Sequence, residues 1–271
     1  MSTIESICDI HNKINWEALK YAGKSFKLNK PFDHCVIDNF LNKELAQIVE
    51  GEFPHFNMSL WHVYNNDVEK KKTTNVWNNF QANTYRLFSY LNSPNFVSYL
   101  SELMNIELFP DMGLHGGGLH IHGNGGLLNP HLDYVIHPKL GLKRKLNLIV
   151  YLSQSLVEGM GGELGLWQSD NDEEPGVLVK TIVPIFNRAV LFDTTQNSWH
   201  GLVSELRTNN ITYRKSLAMY YMCHPEKNDK LRSRALYAPR FDQVFTEELK
   251  DLIHKRVDVQ MSTMVYKKNE I

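Results

Sequence analysis

The chain has few cysteines, no long apolar run, no internal repeat and no excess of either charge sign, and each absence removes a class of protein. Its three cysteines, Cys8, Cys35 and Cys223, are spread over 271 residues without paired spacing. Free thiols in a reducing compartment are therefore expected, rather than a disulfide framework or a cysteine-bound zinc. We read them as packing residues. No apolar stretch approaches the roughly 20 residues that span a bilayer. Met1 to Ile10 carries Glu5 and Asp9 instead of a basic region leading into an apolar one, so a soluble, cytoplasmic protein without a leader is expected. Solenoid and linker architectures find no support in the pattern. Lys+Arg at 29 against Asp+Glu at 30 leaves a formal net charge of -1, which gives no global positive field to hold nucleic acid or an anionic membrane. The longest charge run, Glu69 to Lys72, reads as a solvated loop.

The length suits a single catalytic unit. Residues 1–110 read as a mixed, helix-rich support region packed on a core. Pro31 to Asp38 looks like a strand, and Asn42 can cap a helix whose Leu45, Ile48 and Val49 share one face. Phe80, Tyr85, Phe88 and Leu91 suggest a second helix, and Ser93 followed by Pro94 opens a third. From about Gly113 the texture changes to short strands between glycine-, proline- and asparagine-rich turns: Leu119 to His122, Leu146 to Leu152, Glu163 to Trp167, Val177 to Val183, Ala189 to Phe192 and Tyr213 to Met222. We assign residues 111–224 to a β core of sandwich or jelly-roll type. Residues 225–271 form a helical extension, clearest from Thr246 as a cap, that braces the sheet. The fold class is thus mainly β with flanking helices (α+β).

Twelve histidines make any single one uninformative. His131-Leu132-Asp133 says more, because residues two apart on a strand face the same way and can present an imidazole and a carboxylate to one ion. Trp199-His200 follows the strand Ala189 to Phe192, so a returning strand can bring a second imidazole. Two histidines and one carboxylate on one face of an octahedron leave positions open, which is the pattern of non-haem iron(II) oxygenases. Zinc favours tetrahedral sites with cysteine or a third histidine, and no cysteine is near these residues. His120 and His122 share a strand face just upstream; one of them replacing a proposed ligand is the alternative, and lining the pocket or packing is the favoured reading. Fourteen residues after His200, Arg214 and Ser216 open the strand through Tyr221. Their guanidinium fork and hydroxyl suit the distal carboxylate of 2-oxoglutarate; taken alone Arg214 reads as a surface ion pair at a strand end, and its place after the second histidine reverses that preference. Gly116 to Gly118 and Gly123 to Gly126 lack the lysine and helix of a phosphate loop, and are read as turns bracketing a pocket strand.

Residues from about Leu119 to Tyr221 resemble the 2-oxoglutarate and iron(II)-dependent oxygenase superfamily, in the branch that includes the prolyl 4-hydroxylases. The resemblance rests on His131-x-Asp133, the strand Arg144 to Ser153, Gly161-Gly162-Glu163-Leu164, the turn Pro184 to Arg188, His200 and Arg214-x-Ser216. It implies a double-stranded β-helix core, iron on His131, Asp133 and His200, and 2-oxoglutarate on Arg214 with Tyr151 donating to the same carboxylate; a core tyrosine is the other reading of Tyr151. It also implies oxygen as co-substrate, ascorbate as an optional auxiliary, and hydroxylation of an amino-acid or peptidyl side chain with release of succinate and carbon dioxide. Arg214 stands where collagen-type enzymes have lysine, so the sequence resembles the arginine-bearing relatives. Partners expected are a small-molecule or peptide substrate, with neither nucleic acid nor membrane. Lys143-Arg144-Lys145 is either a solvated strand end or a contact for a substrate carboxylate. Two rivals stay in view: a catalytically silent β-sandwich that senses ligands or binds partners, and a cupin-like metalloenzyme needing no 2-oxo acid.

Overall fold

The computed structural model describes residues 7–171, 173–229 and 232–258. Glu5 lies outside the described residues, as does the side chain of Cys8. In chain order the elements are α1 (Ile7–His11), α2 (Trp16–Gly23), β1 (His34–Ile37), α3 (Lys43–Gly51), β2 (His62–Asn65), β3 (Glu69–Thr74), α4 (Ala82–Leu91), α5 (Pro94–Met104), β4 (Phe109–Pro110), β5 (Gly118–His122), β6 (Leu127–Leu128), β7 (His131–Leu132), β8 (Lys143–Tyr151), β9 (Leu164–Gln168), β10 (Val177–Ile182), β11 (Ala189–Asp193), β12 (His200–Leu202), β13 (Arg214–Cys223), β14 (Leu236–Tyr237) and α6 (Glu247–Val257). The caps follow the sequence: Asn42, Ser93 and Thr246 each accept the backbone N–H three residues on, which supplies one of the donors a helix start leaves unpaired.

The strands form two antiparallel sheets. The larger runs β1-β11-β8-β13-β5-β3-β2, with β4 on β13 and β6 on β3; the smaller runs β10-β9-β12-β7-β14. Strict alternation decides what each face of the larger sheet does. Leu146, Leu148 and Val150 of β8 and Leu217, Met219 and Tyr221 of β13 join the core shared with the helices. Asn147 and Ile149 of β8, with Arg214, Ser216, Ala218 and Tyr220 of β13, face the opposite way into a cavity. Tyr151, Val190 and Phe192 of the larger sheet pack on Leu164, Leu166 and Ile182 of the smaller one, so the two sheets close over each other as a double-stranded β-helix. No helix among the described residues is long and apolar enough to cross a membrane.

Three features differ from the sequence expectations. Glu69 to Lys72 is not a solvated loop but most of β3, with Glu69 only 1% exposed; its face beside β5 looks into the cavity, which a charge count cannot reveal. The sheets also draw β1 to β4 from the first 110 residues and β14 from beyond residue 224. Finally, the Lys143-Arg144-Lys145 cluster is spent inside the protein: Lys143 pairs with Asp229, Lys145 with Asp193, and Arg144 with Asp133. None of the three is a solvated strand end or a free contact for a substrate carboxylate.

Candidate active site

The centre of the smaller sheet sets the site. His131 on β7 and His200 on β12 are direct cross-strand partners, and their rings lie 4.3 Å apart between centroids. Asp133 follows β7, two residues beyond His131. Its Oδ1 is 3.9 Å from His131 Nε2, and its Oδ2 is 3.9 Å from His200 Nε2. All three side chains are buried, and the prospective ligand atoms lie within 4.8 Å of one another. The structure thus brings together the three residues singled out by spacing.

Hydrogen bonds fix which nitrogen faces the cavity. His131 Nδ1 lies 3.0 Å from the Asn129 carbonyl oxygen, and His200 Nδ1 lies 2.8 Å from that of Ser198. A carbonyl can only accept, so Nδ1 carries the proton and Nε2 presents its lone pair. Burial lowers the pKa of both rings and keeps them neutral, as metal ligands must be. For Asp133, burial alone would push the pKa up, but the charges around it, the Arg144 guanidinium first, override it and hold the carboxyl at about 2. Its Oδ2 has no hydrogen-bond partner among the described residues. An orphaned, ionised carboxylate oxygen beside two inward lone pairs is a donor set that fits a divalent cation, and an N₂O face with open positions fits iron(II).

Sequence reasoning missed what holds Asp133. Arg144 Nη1 is 3.2 Å from Asp133 Oδ1, Nη2 donates to the His115 carbonyl at 2.7 Å, and the guanidinium sits 3.5 Å from the ring centroids of both Tyr134 and Tyr220. Simple alternation along β8 puts Arg144 on the helix side with Leu146. The register shift between Tyr221 and Met222 on β13 is what turns it inward, since a bulge re-aims the residues beside it. The backbone carbonyl of Asp133 is also bonded, at 3.0 and 2.9 Å, by the guanidinium of Arg232.

The same cavity, about 430 Å³ in volume, reaches Arg214 at the start of β13. Arg214 is 4% exposed and its Nε donates to the Gly162 carbonyl at 2.8 Å. Gly162 has φ +78, and a Cβ there would come within 2.9 Å of Arg214 Cδ, so Gly162 is room made for this side chain, whereas a Cβ at Gly161 would fall 2.2 Å from the Glu205 carbonyl oxygen. Tyr151 is opposite Ser216 in register, and its ring centroid is 4.9 Å from the Arg214 guanidinium carbon. The Tyr151 hydroxyl is buried with no hydrogen-bond partner among the described residues, and burial raises its pKa and keeps it protonated. A guanidinium fork, a donor hydroxyl and Ser216 on one wall suit a carboxylate.

His120 and His122 line the cavity too, opposite Ser216 and Arg214 respectively. Burial pushes the His120 imidazole down to about 3 and that of His122 well below its ordinary range, so both are neutral. They are not in the metal cluster.

With this geometry in hand, comparison with known proteins shows what the chain is similar to. The sequence model of the 2OG-Fe(II) oxygenase superfamily matches residues 117–222, the stretch that carries His131, Asp133, Arg144, Tyr151, His200, Arg214 and Ser216. Over these residues the chain is similar to this superfamily. Among characterised proteins it is 26% identical over 191 residues to a prolyl 3-hydroxylase OGFOD1 of Mus musculus, covering 70% of this chain and 33% of that one. It is 24% identical over 222 residues to the Xenopus laevis protein of the same name, covering 80% and 41%. The chain therefore spans between a third and two fifths of the length of these relatives. A Trichoplax adhaerens prolyl hydroxylase, solved with a hypoxia inducible factor oxygen degradation domain peptide fragment, shares the fold with a TM-score of 0.52 at 16% identity, covering 77% of this chain and 93% of its own.

Proposed function

We propose that the protein is a 2-oxoglutarate- and iron(II)-dependent dioxygenase that hydroxylates a peptidyl side chain and releases succinate and carbon dioxide. His131, Asp133 and His200 hold the metal in this reading, and Arg214, Tyr151 and Ser216 hold the distal carboxylate of the co-substrate. The observation that carries it is a single cavity with a buried two-histidine, one-carboxylate cluster and a buried arginine suited to a carboxylate both on its walls. A cupin-like enzyme without a 2-oxo acid has no use for a buried arginine there. A silent sandwich has no reason to keep an ionised carboxylate aimed at two neutral imidazoles.

Bound iron supplies the oxygen activation that no amino-acid side chain can supply. The protein's own part is geometric and electrostatic. The carbonyls of Asn129 and Ser198 aim the two Nε2 atoms, Arg144 keeps Asp133 ionised, and Arg214 with Tyr151 orients a dicarboxylate along the cavity.

The OGFOD1 relatives are named prolyl 3-hydroxylases, and prolyl residues of a peptide are the substrate class this supports. The near-zero net charge favours a peptide over nucleic acid, whose binding is dominated by phosphate contacts. A cytoplasmic setting and an auxiliary role for ascorbate are parts of the same reading. The test is incubation with iron(II), 2-oxoglutarate and a panel of proline-containing peptides under labelled oxygen gas. Gain of one labelled oxygen on a peptide is the expected result. Turnover only with methylated DNA or RNA, falling steeply with salt, would overturn the substrate class.

A further inference from the structure

The chain after residue 235 reads in the sequence as a brace, yet it touches the metal site in two independent places. First, β14 adds to the smaller sheet beside β7, with Tyr237 directly opposite His131. The Tyr237 ring stacks on the His131 imidazole at 5.2 Å between centroids and 22° between planes. Its hydroxyl lies 3.1 Å from Glu69 Oε2 and accepts from Arg256 Nη2 at 3.1 Å, while the same Nη2 reaches Glu69 Oε1 at 2.6 Å. Glu69, Tyr237 and Arg256 are 1%, 5% and 8% exposed. Second, the residue whose carbonyl bonds His131 Nδ1 is itself gripped by this segment. The Asn129 amide donates to the Ala238 carbonyl at 3.0 Å and to Gln243 Oε1 at 2.7 Å, and its oxygen accepts from Arg240 Nη1 at 3.0 Å.

A buried ion pair is an expensive way to brace a sheet, because a packed apolar pair in its place is often as stable or more so. What the ion pair does provide is direction. Two charged groups on β3 and α6, elements that are 187 residues apart at Glu69 and Arg256, converge on one hydroxyl, and the ring bearing that hydroxyl lies flat on a prospective metal ligand.

We infer that the Leu236–Arg256 segment is part of the metal site, with the Glu69–Arg256 pair holding Tyr237 against His131 and so positioning that imidazole for the metal. Arg256, Glu69 and Tyr237 are positioning residues that act through His131. The inference rests on the reading of His131 as a ligand.

The experiment uses the full chain and Co(II), whose visible absorption reports ligand geometry. Wild-type protein should bind about one Co(II), and Arg256→Met should weaken binding roughly 10- to 100-fold, the range found when the outer partners of metal ligands are removed, and alter the absorption bands. Arg256→Lys, which keeps the charge on Glu69, should recover part of both. A folded Arg256→Met protein with lowered thermal stability but wild-type Co(II) affinity and spectrum would overturn the inference and leave α6 a brace. If Arg256→Met does not fold, Tyr237→Phe serves instead, because it deletes only the hydroxyl bonded to Glu69 and Arg256. A several-fold weaker affinity supports the inference, and an unchanged one overturns it. Failure of the wild-type protein to bind Co(II) at all would remove the metal-site reading and this inference together, which separates the two failures.

Discussion

Replacing Arg144 by methionine isolates the electrostatics of the site from its chemistry. Methionine is unbranched and can fill the slot between Tyr134 and Tyr220, so the main loss is charge. In the wild-type protein Asp133 sits at about 2 against an ordinary value of 3.8, a difference on the order of 2–3 kcal/mol. Because the folded pKa is depressed, this stabilisation is complete above about pH 4 and is lost as pH falls towards 2. Without Arg144 the largest remaining influence on Asp133 is burial, which raises its pKa. The variant then loses stability as pH rises through and above 4, because a buried carboxylate is left without its partner. Breaking such a pair costs about 3–5 kcal/mol. Urea denaturation of both proteins from pH 3 to 7, with a chelator present to exclude metal, should show a stability gap of that size at pH 7 that narrows strongly towards pH 3. A gap of equal size at both ends of the range would refute the assigned role of Arg144.

Other perturbations probe separate parts of the account. His131→Ala, Asp133→Ala and His200→Ala should each lose stoichiometric iron(II) binding, measured by equilibrium dialysis, with the far-ultraviolet circular dichroism preserved. Arg214→Ala should raise the 2-oxoglutarate KM by one or more orders of magnitude, since deleting one partner of a buried charge pair costs about 2–5 kcal/mol; Arg214→Lys should recover only part, lysine lacking the fork. Gly118 has φ +94 and a Cβ there would fall 2.2 Å from the Thr74 carbonyl oxygen, so Gly118→Ala should pry β5 from β3 and lower stability by about 1–3 kcal/mol in a thermal melt. Burial pushes the Cys35 thiol up to about 12, so at pH 8 native protein should leave Cys35 unalkylated by iodoacetamide on a timescale that labels it fully in urea.

Much of this was legible because it is local. The caps Asn42, Ser93 and Thr246 declare their helices within four residues, and His131-x-Asp133 declares a shared face by strand period alone. His200 and Arg214 needed only chain order and a returning strand. What stayed hidden depends on pairings between distant segments. Lys71 and Glu69 read as solvent charge until β3 is seen beside β5, and Arg144 changes sides through a bulge at Lys145 of β8 that shows only in its pairing with β13. Tyr237 and Arg256 carry no local sign of their position, since their neighbours in space are His131 and Glu69. Periodicity describes one strand at a time, whereas the polar contacts of this site are made across strands.

The central claim is that one cavity joins a metal triad to a 2-oxoglutarate site, and the most direct test is succinate formation from isotopically labelled 2-oxoglutarate, followed by NMR with iron(II) and oxygen supplied. The account predicts succinate from the wild-type protein, none above background from Asp133→Ala, and recovery of Arg214→Ala only at much higher 2-oxoglutarate. Succinate from Asp133→Ala at the wild-type rate, or none from wild-type protein shown to carry one iron per chain, would contradict it.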